Sequence, residues 1–472
     1  MTSIPAHAAD PHRPRYHVLP PSGWLNDPNG FIYHQGVYHL FYQHNPAGGF
    51  HADIHWGHAV SPDLARWQHR PIALAPTPDG PDAGGCWSGS AAIVGGRPVL
   101  FYSGVYPQTV CMATGDDDLD TWVKHPTPLI AAPPPGFGGD PADFRDPYVW
   151  RAGDTWYMVM GSRVPGGGGA VLLYRSADAR AWDYAGPLLI GDPTAREPLW
   201  TGTVWECPNL FPLDGRHVLL VSYQEMATGE LLYTGYTVGD FDGRWRSAGR
   251  PRLLEHGGSM YAPQVTVDEA GQAILIGWLT EARPAAAQRA AGWSGVMSLP
   301  RVLSLGDDDT LRFRPAPALA GLRGERFHVQ PRTLRPGDAN PLAGVRGGGL
   351  EIDVTFDPAG ATAFGLRLTE AGFPGDVAAV VGDVAAGTVT LRRPWAVGPG
   401  RAVAAAAPLP AGPVRLRVFL DRSVVEVFVD DRAVLSGRIY PDAPEALGVA
   451  LFAEGGAAAV AGEVWAMGDS WA

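Results

Sequence analysis

The sequence predicts an all-β protein, a five-bladed β-propeller followed by a C-terminal β-sandwich. Two observations carry the propeller and a third carries the sandwich. A strand-forming run that opens on glycine recurs five times, at Gly36-Val-Tyr-His-Leu-Phe-Tyr, Gly96-Arg-Pro-Val-Leu-Phe-Tyr, Gly153-Asp-Thr-Trp-Tyr-Met-Val, Gly215-Arg-His-Val-Leu-Leu-Val and Gly271-Gln-Ala-Ile-Leu-Ile-Gly. These glycines stand about 56–62 residues apart, a period that suits one blade per repeat. Just upstream of each lies a compact motif that leads into another strand: Asn26-Asp-Pro-Asn-Gly, Trp87-Ser-Gly-Ser, Phe144-Arg-Asp-Pro, Trp205-Glu-Cys-Pro and Tyr261-Ala-Pro-Gln. After Pro300 the composition turns rich in Ala, Gly and Val, with alternating strands separated by turns, which suits two packed sheets.

Taken in order, strand signals dominate from Phe31 to about Leu305, and long helical periodicity is hard to find. A second repeated element supports the blade count. Asp63-Leu-Ala-Arg-Trp67, Asp118-Leu-Asp-Thr-Trp122 and Asp178-Ala-Arg-Ala-Trp182 share one spacing, with Asp240 to Trp245 a looser copy. Each reads as an Asp-started turn whose Trp packs between blades, so these tryptophans are architecture rather than sites. The segment around Arg314-Pro-Ala-Pro reads as a linker. Leu350-Glu-Ile-Asp-Val-Thr-Phe, Val414-Arg-Leu-Arg-Val-Phe-Leu and Ser423-Val-Val-Glu-Val-Phe-Val-Asp-Asp read as sandwich strands. The expected divisions are a propeller over 1–305, a linker over 306–325 and a sandwich over 326–472.

Charge and composition exclude several function classes. Of the 472 residues 46% are hydrophobic, enough for sizeable cores, and the net charge of −12 offers no footprint for nucleic acid or an anionic membrane. No run of 18 apolar residues is present to span a membrane. Met1 to Arg15 carries Pro, His and Asp where a signal peptide needs an apolar core, so Ala6-His-Ala-Ala only imitates a cleavage site. Three cysteines (Cys86, Cys111, Cys207) make no disulfide framework in a chain of this size. A cytoplasmic protein is expected.

Three of the five upstream motifs carry a carboxylate. Equivalent positions of propeller repeats face one axis, so Asp27, Asp146 and Glu206 are expected to converge, the arrangement of a carboxylate-driven active site. Read singly, Asn26-Asp-Pro-Asn-Gly and Arg145-Asp-Pro are turn dipeptides. Glu206, set between Trp205 and Cys207 before an apolar strand, is expected in surroundings that raise its pKa and keep a proton available for acid catalysis. Arg145 is expected to favour the ionised form of Asp146. His51-Ala-Asp-Ile-His55-Trp-Gly-His58 matches no common zinc spacing, and Gly166 to Gly169 lacks the strand–loop–helix context of a phosphate cradle. Ser88 and Cys207 show no nucleophile partnership and read as supporting or substrate contacts.

These motifs together resemble the β-fructofuranosidases of glycoside hydrolase family 32: invertases, sucrose-6-phosphate hydrolases, levanases and inulinases. The matching stretches are Trp24-Leu-Asn-Asp-Pro-Asn-Gly, Phe41-Tyr-Gln-His-Asn-Pro, Trp56-Gly-His-Ala-Val-Ser, Trp87-Ser-Gly-Ser-Ala, Phe144-Arg-Asp-Pro and Trp205-Glu-Cys-Pro. They continue with Tyr261-Ala-Pro-Gln, Ile276-Gly-Trp, Gly295-Val-Met-Ser-Leu-Pro-Arg and, late in the chain, Phe419-Leu-Asp-Arg-Ser-Val-Val-Glu-Val-Phe. The resemblance runs from His17 to Trp471.

The resemblance implies retaining hydrolysis of terminal β-fructofuranosides, such as sucrose, sucrose 6-phosphate or short fructo-oligosaccharides. A fructosyltransferase, or an exo-acting inulinase or levanase, is the alternative within the family. Asp27 is implied as the nucleophile that forms a fructosyl-enzyme intermediate, Glu206 as the acid/base and Asp146 as the transition-state stabiliser. Asn26, Gln43, Trp87, Ser88, Arg145 and Trp278 match positions lining the fructose pocket. No cofactor or metal is implied, and a small-molecule sugar is the expected partner, with no nucleic acid and no membrane. Packing on the propeller or a homodimer contact is the expected role of the sandwich. Two departures stand out: His51 replaces a pocket Trp, with Phe50 beside it to compensate, and Ser259 in Ser259-Met-Tyr-Ala replaces an Asp that family members carry near the acid/base. Both fall on the leaving-group side.

Overall fold

In a computed structural model of the chain, residues 10–164, 166–373, 375–393 and 406–471 are described. The imitation cleavage site at Ala6 to Ala9 lies outside them. Five antiparallel sheets come first. Their innermost strands are Gly23–His34, Gly85–Val94, Phe144–Ala152, Val204–Leu213 and Met260–Val267, one per upstream motif. Each packs against the innermost strand of the next sheet, and the fifth packs against the first, so the sheets form a closed five-bladed ring. The recurrent glycines Gly36, Gly153, Gly215 and Gly271 have φ of 86°, 59°, 79° and 77° in the turns that lead into the second strand of blades 1, 3, 4 and 5, a region L-residues enter only at a cost.

The ring is closed by a short crossing. Trp293–Ser294, reached after blade 5 has begun, pairs in parallel with Gly23–Trp24 at the start of the blade 1 inner strand. The Asp–Trp repeats form the turns between the third and fourth strands of blades 1 to 3. Asp63 accepts hydrogen bonds from the backbone N–H of Ala65 and Arg66, and Asp178 from those of Arg180 and Ala181. In blade 2 the accepting carboxylate is Asp116, not Asp118, bonded by the N–H of Asp120 and Thr121. Trp122 of blade 2 meets Phe41 of blade 1 edge-on, and Trp182 of blade 3 meets Phe101 of blade 2, so these rings do seal blades together.

Two sheets follow, one of six strands and one of five. Within the expected linker over 306–325, Leu311–Pro315 forms the outer strand of blade 5 against Arg301–Leu305, Pro317–Leu322 is a 3-10 turn, and Arg323–Leu334 already belongs to the six-stranded sheet. The Pro-rich composition around Arg314 masked a strand edge, where a residue without an N–H is tolerated.

Alternation explains how the two parts join. Along Val414–Asp421, Val414, Leu416, Val418 and Leu420 enter the sandwich's own core, while Phe419 enters the core it shares with blades 1, 4 and 5. The neighbouring strand divides likewise, with Val425, Val427 and Val429 inward and Val424 and Phe428 toward the propeller. Through this seam runs a fully buried polar network. Glu426 accepts from Arg301 Nη2 (2.6 Å) and the Leu299 N–H (2.6 Å), and pairs with His17 Nε2 (3.1 Å), whose other nitrogen lies 2.8 Å from Asp421. Despite burial, the charges of Arg301 and His17 hold the Glu426 carboxyl down to about 2.

Candidate active site

The motifs read singly as turns are not turns. All five lie within the inner strands, at one repeated irregularity. Opposite the second strand, each inner strand carries one extra residue: between Leu25 and Pro28, Trp87 and Gly89, Arg145 and Tyr148, Glu206 and Asn209, and Tyr261 and Gln264. This is a β-bulge, which unpairs a residue and re-aims its side chain. Asp146, Cys207 and Ala262 occupy it with positive φ, each followed by Pro. The Asp-Pro and Cys-Pro dipeptides thus mark where the ladder skips, since Pro has no N–H to contribute.

Five bulges around one axis bring together residues far apart in sequence. By register Asn26, Ser88, Asp146, Cys207 and Ala262 are equivalent, Asp27 stands one residue after that position, and Arg145, Glu206 and Tyr261 stand one before it. Asp27 Oδ2 accepts from Ser88 Oγ (2.6 Å) and from Gln43 Nε2 (3.1 Å), and Gln43 Nε2 also bonds Ser88 Oγ. Cys207 binds two carboxylates at once. Its thiol lies 3.6 Å from Asp27 Oδ2 and 3.5 Å from Asp146 Oδ2, and its N–H donates to Asp146 at 2.9 Å. Asp146 N–H in turn donates to Ser103 Oγ (2.8 Å), which donates to the Ser88 carbonyl. Blades 1, 2, 3 and 4 are tied at this point.

Glu206 is held on both oxygens. Arg145 donates to Oε1 from Nε (3.1 Å) and Nη2 (3.0 Å), and the Tyr261 hydroxyl donates to Oε2 at 2.6 Å. Arg145 is itself braced by Asp143 (2.8 Å), which also pairs with Arg163. Arg145 does favour the ionised form of Asp146 by its charge, as expected, but its guanidinium hydrogen bonds go to Glu206, which is therefore a partnered group rather than an isolated one. Burial raises the Asp146 carboxyl to about 7; Arg145 opposes this, while the charges of Glu206 and Asp27 add to it. Burial likewise raises Asp27 to about 6, against the Ser88 hydrogen bond, with Glu206 adding to the rise. Asp27 and Asp146 are thus both held above the ordinary carboxylate range in one dry pocket.

An aromatic wall surrounds them. Trp24 donates from Nε1 to Asn26 Oδ1 (2.7 Å) and meets Trp278 edge-on at 6.0 Å. Trp278 is buried, with its indole N–H unpartnered. His51 stands between Trp24 and Trp87, at 6.1 and 5.9 Å, so it fills the gap left by the replaced Trp without help from Phe50, which stacks instead under Arg289. Burial lowers the His51 pKa and keeps the ring neutral. The other histidines of that segment go elsewhere: His58 stacks on Phe41 inside blade 1 and His55 bonds the Asp53 carbonyl. Among the described residues no group of side chains is arranged to hold a metal ion.

Every residue expected at the site is thus in or beside this pocket. Sequence reasoning missed Tyr261, Trp24, Ser103 and Asp143 as site residues, and gave Cys207 too small a part. For Tyr261 a signal existed, because it occupies the repeat position of Glu206 and Arg145.

Residues 17–315 match the N-terminal domain of glycosyl hydrolases family 32, and residues 319–466 match the family's C-terminal domain. A sucrose-6-phosphate hydrolase of Escherichia coli is 34% identical over 96% of this chain and 95% of its own length. A raffinose invertase of the same organism is 32% identical, over 98% and 97%. Among solved structures, a β-fructofuranosidase of Bombyx mori aligns with a TM-score of 0.82 at 29% identity, covering 98% of this chain and 95% of that one.

Proposed function

The chain belongs to glycoside hydrolase family 32 and is a β-fructofuranosidase, and we propose that Asp27, Glu206 and Asp146 carry its reaction. Asp27 attacks the anomeric carbon of a terminal β-fructofuranosyl unit while Glu206 gives its proton to the departing glycosidic oxygen. The carbon–oxygen bond breaks as the fructosyl–Asp27 ester forms. Water then attacks the ester, Glu206 takes its proton, and fructose leaves with its configuration retained. Asp146 binds fructose hydroxyls, and Asn26, Gln43, Trp87, Ser88, Arg145 and Trp278 form the pocket around the ring.

The observation that supports these roles best is Cys207, the immediate neighbour of Glu206, in reach of both other carboxylates. Through Cys207, Glu206 lies near Asp27 although they come from blades 4 and 1, which supports pairing them as acid/base and nucleophile. A raised Asp146 suits a group that must donate to and accept from hydroxyls at neutral pH. A cytoplasmic location is part of the proposal, supported by three free, buried cysteines.

Glu206→Gln tests the assignment. A general acid matters most when the leaving group is poor. Hydrolysis of sucrose should therefore collapse by about 10²–10⁴-fold, while the first step on a β-fructoside with an acidic aglycone slows far less. Azide, which needs no base, should restore turnover and give β-fructosyl azide. Equal losses on both substrates with no azide product would move the acid/base elsewhere.

A further inference from the structure

Beside the three carboxylates opens a second space that the chemistry above does not use. It is a cavity of about 470 Å³, within the size of small-molecule sites. Trp24, Tyr261 and Trp278 line it as well as the fructose pocket, so the two are continuous. Tyr261 is the residue that holds Glu206, so a group leaving with the proton of Glu206 departs toward this cavity. Resting on the functional reading above, the cavity receives the leaving sugar.

Its lining has a definite charge. The hydroxyls of Thr228, Ser259 and Thr280 and the amide of Gln288 face it together with two carboxylates, Glu230 and Glu281, and among the described residues no Lys, Arg or His lines it. Glu281 stays ionised. Arg438 (3.6 Å) and Arg283 (2.9 Å) hold its carboxyl well below the usual range against burial. The cations near the rim are engaged. Arg393 of the sandwich donates to the Gly257 carbonyl (2.8 Å) and to Ser259 Oγ (3.3 Å), and Arg289 sits 4.0 Å over the Phe50 ring. Aromatic faces for C–H surfaces and carboxylates that accept from hydroxyls fit an uncharged sugar. Arg283 and Arg438 offset the charge of Glu281, so the like charge that a phosphate dianion meets in this partly dry space is that of Glu230.

From this lining we infer that the enzyme selects β-fructosides with uncharged leaving sugars and discriminates against sucrose 6-phosphate, with Glu230 as the discriminating residue. The test is kcat/KM on sucrose and on sucrose 6-phosphate with the full chain, at low and at high salt. Sucrose should lead by at least tenfold at low salt. The ratio should shrink as salt screens the carboxylate, and Glu230→Gln should narrow it at least threefold at low salt. An equal or higher value on sucrose 6-phosphate would overturn the inference while leaving fructosidase activity established. A ratio unmoved by both salt and Glu230→Gln would overturn it too. Hydrolysis of neither sugar would overturn the functional reading, and the inference with it.

Discussion

Asp27 shows how much of this chemistry depends on a few hydrogen bonds. Its carboxyl, raised by burial to about 6, must be ionised to attack, so kcat/KM should fall tenfold per pH unit below that value. The Ser88 hydroxyl stabilises the charged form at 2.6 Å. Removing it favours protonation, so in Ser88→Ala the acid limb should move to higher pH, by about one unit. The position of the limb on the pH axis is the readout, and a limb that stays in place would mean that another group controls it. Cys207 teaches the opposite lesson. Burial and three surrounding carboxylates push its thiol well above the ordinary range, so it acts as a neutral donor and never as a nucleophile.

The element that makes the site is the bulged inner strand. Without the extra residue, strict alternation would send neighbours such as Arg145 and Asp146 to opposite faces. With it, both reach the axis. That strand also leaves little room for change. Gly295, at φ +83°, lies against the inner strand of blade 1, and a Cβ there would meet the Leu25 carbonyl oxygen at 1.8 Å, two residues before Asp27. Gly295→Ala should cost about 3 kcal/mol from strain and overpacking combined. Denaturant unfolding would read this, and kcat should fall with it because Asp27 rides on the displaced strand. A variant of unchanged stability and rate would show that the strand yields freely.

At the scale of the whole molecule, propeller and sandwich share one apolar core and one buried ionic network. Arg301 and Glu426 have no exposed side-chain surface. Removing one partner leaves the other charged in a dry interior, so Arg301→Met should lose about 3–5 kcal/mol, and adding Glu426→Gln should recover part of it. Urea unfolding of the single and double variants checks this, and a double variant no better than the single would place the loss in packing. The sandwich also reaches the sugar end of the molecule. Arg393 bonds Ser259, the position where the resemblance leads one to expect an Asp, and Tyr440 bonds Glu281 in the cavity wall.

The five-fold echo of glycine runs and upstream motifs was legible in the amino-acid sequence alone, because each blade needs the same turn and the same interruption of its inner strand. The three carboxylates were legible for the same reason, whereas the six pocket positions were legible only through the resemblance of the surrounding motifs to the family. What those motifs do locally was not. Asn26-Asp-Pro-Asn-Gly has the composition of a turn, and only the neighbouring strand, pairing on either side of it, makes it a bulge. Nor could adjacency in sequence say which carboxylate Arg145 would grip, since Asp146 follows it directly while Glu206 lies 61 residues on. Propensities and periodicities act along the chain and so can be read from it. Charge pairing, burial and the sign of a pKa shift act through space, and they were decided only when five blades closed around one axis.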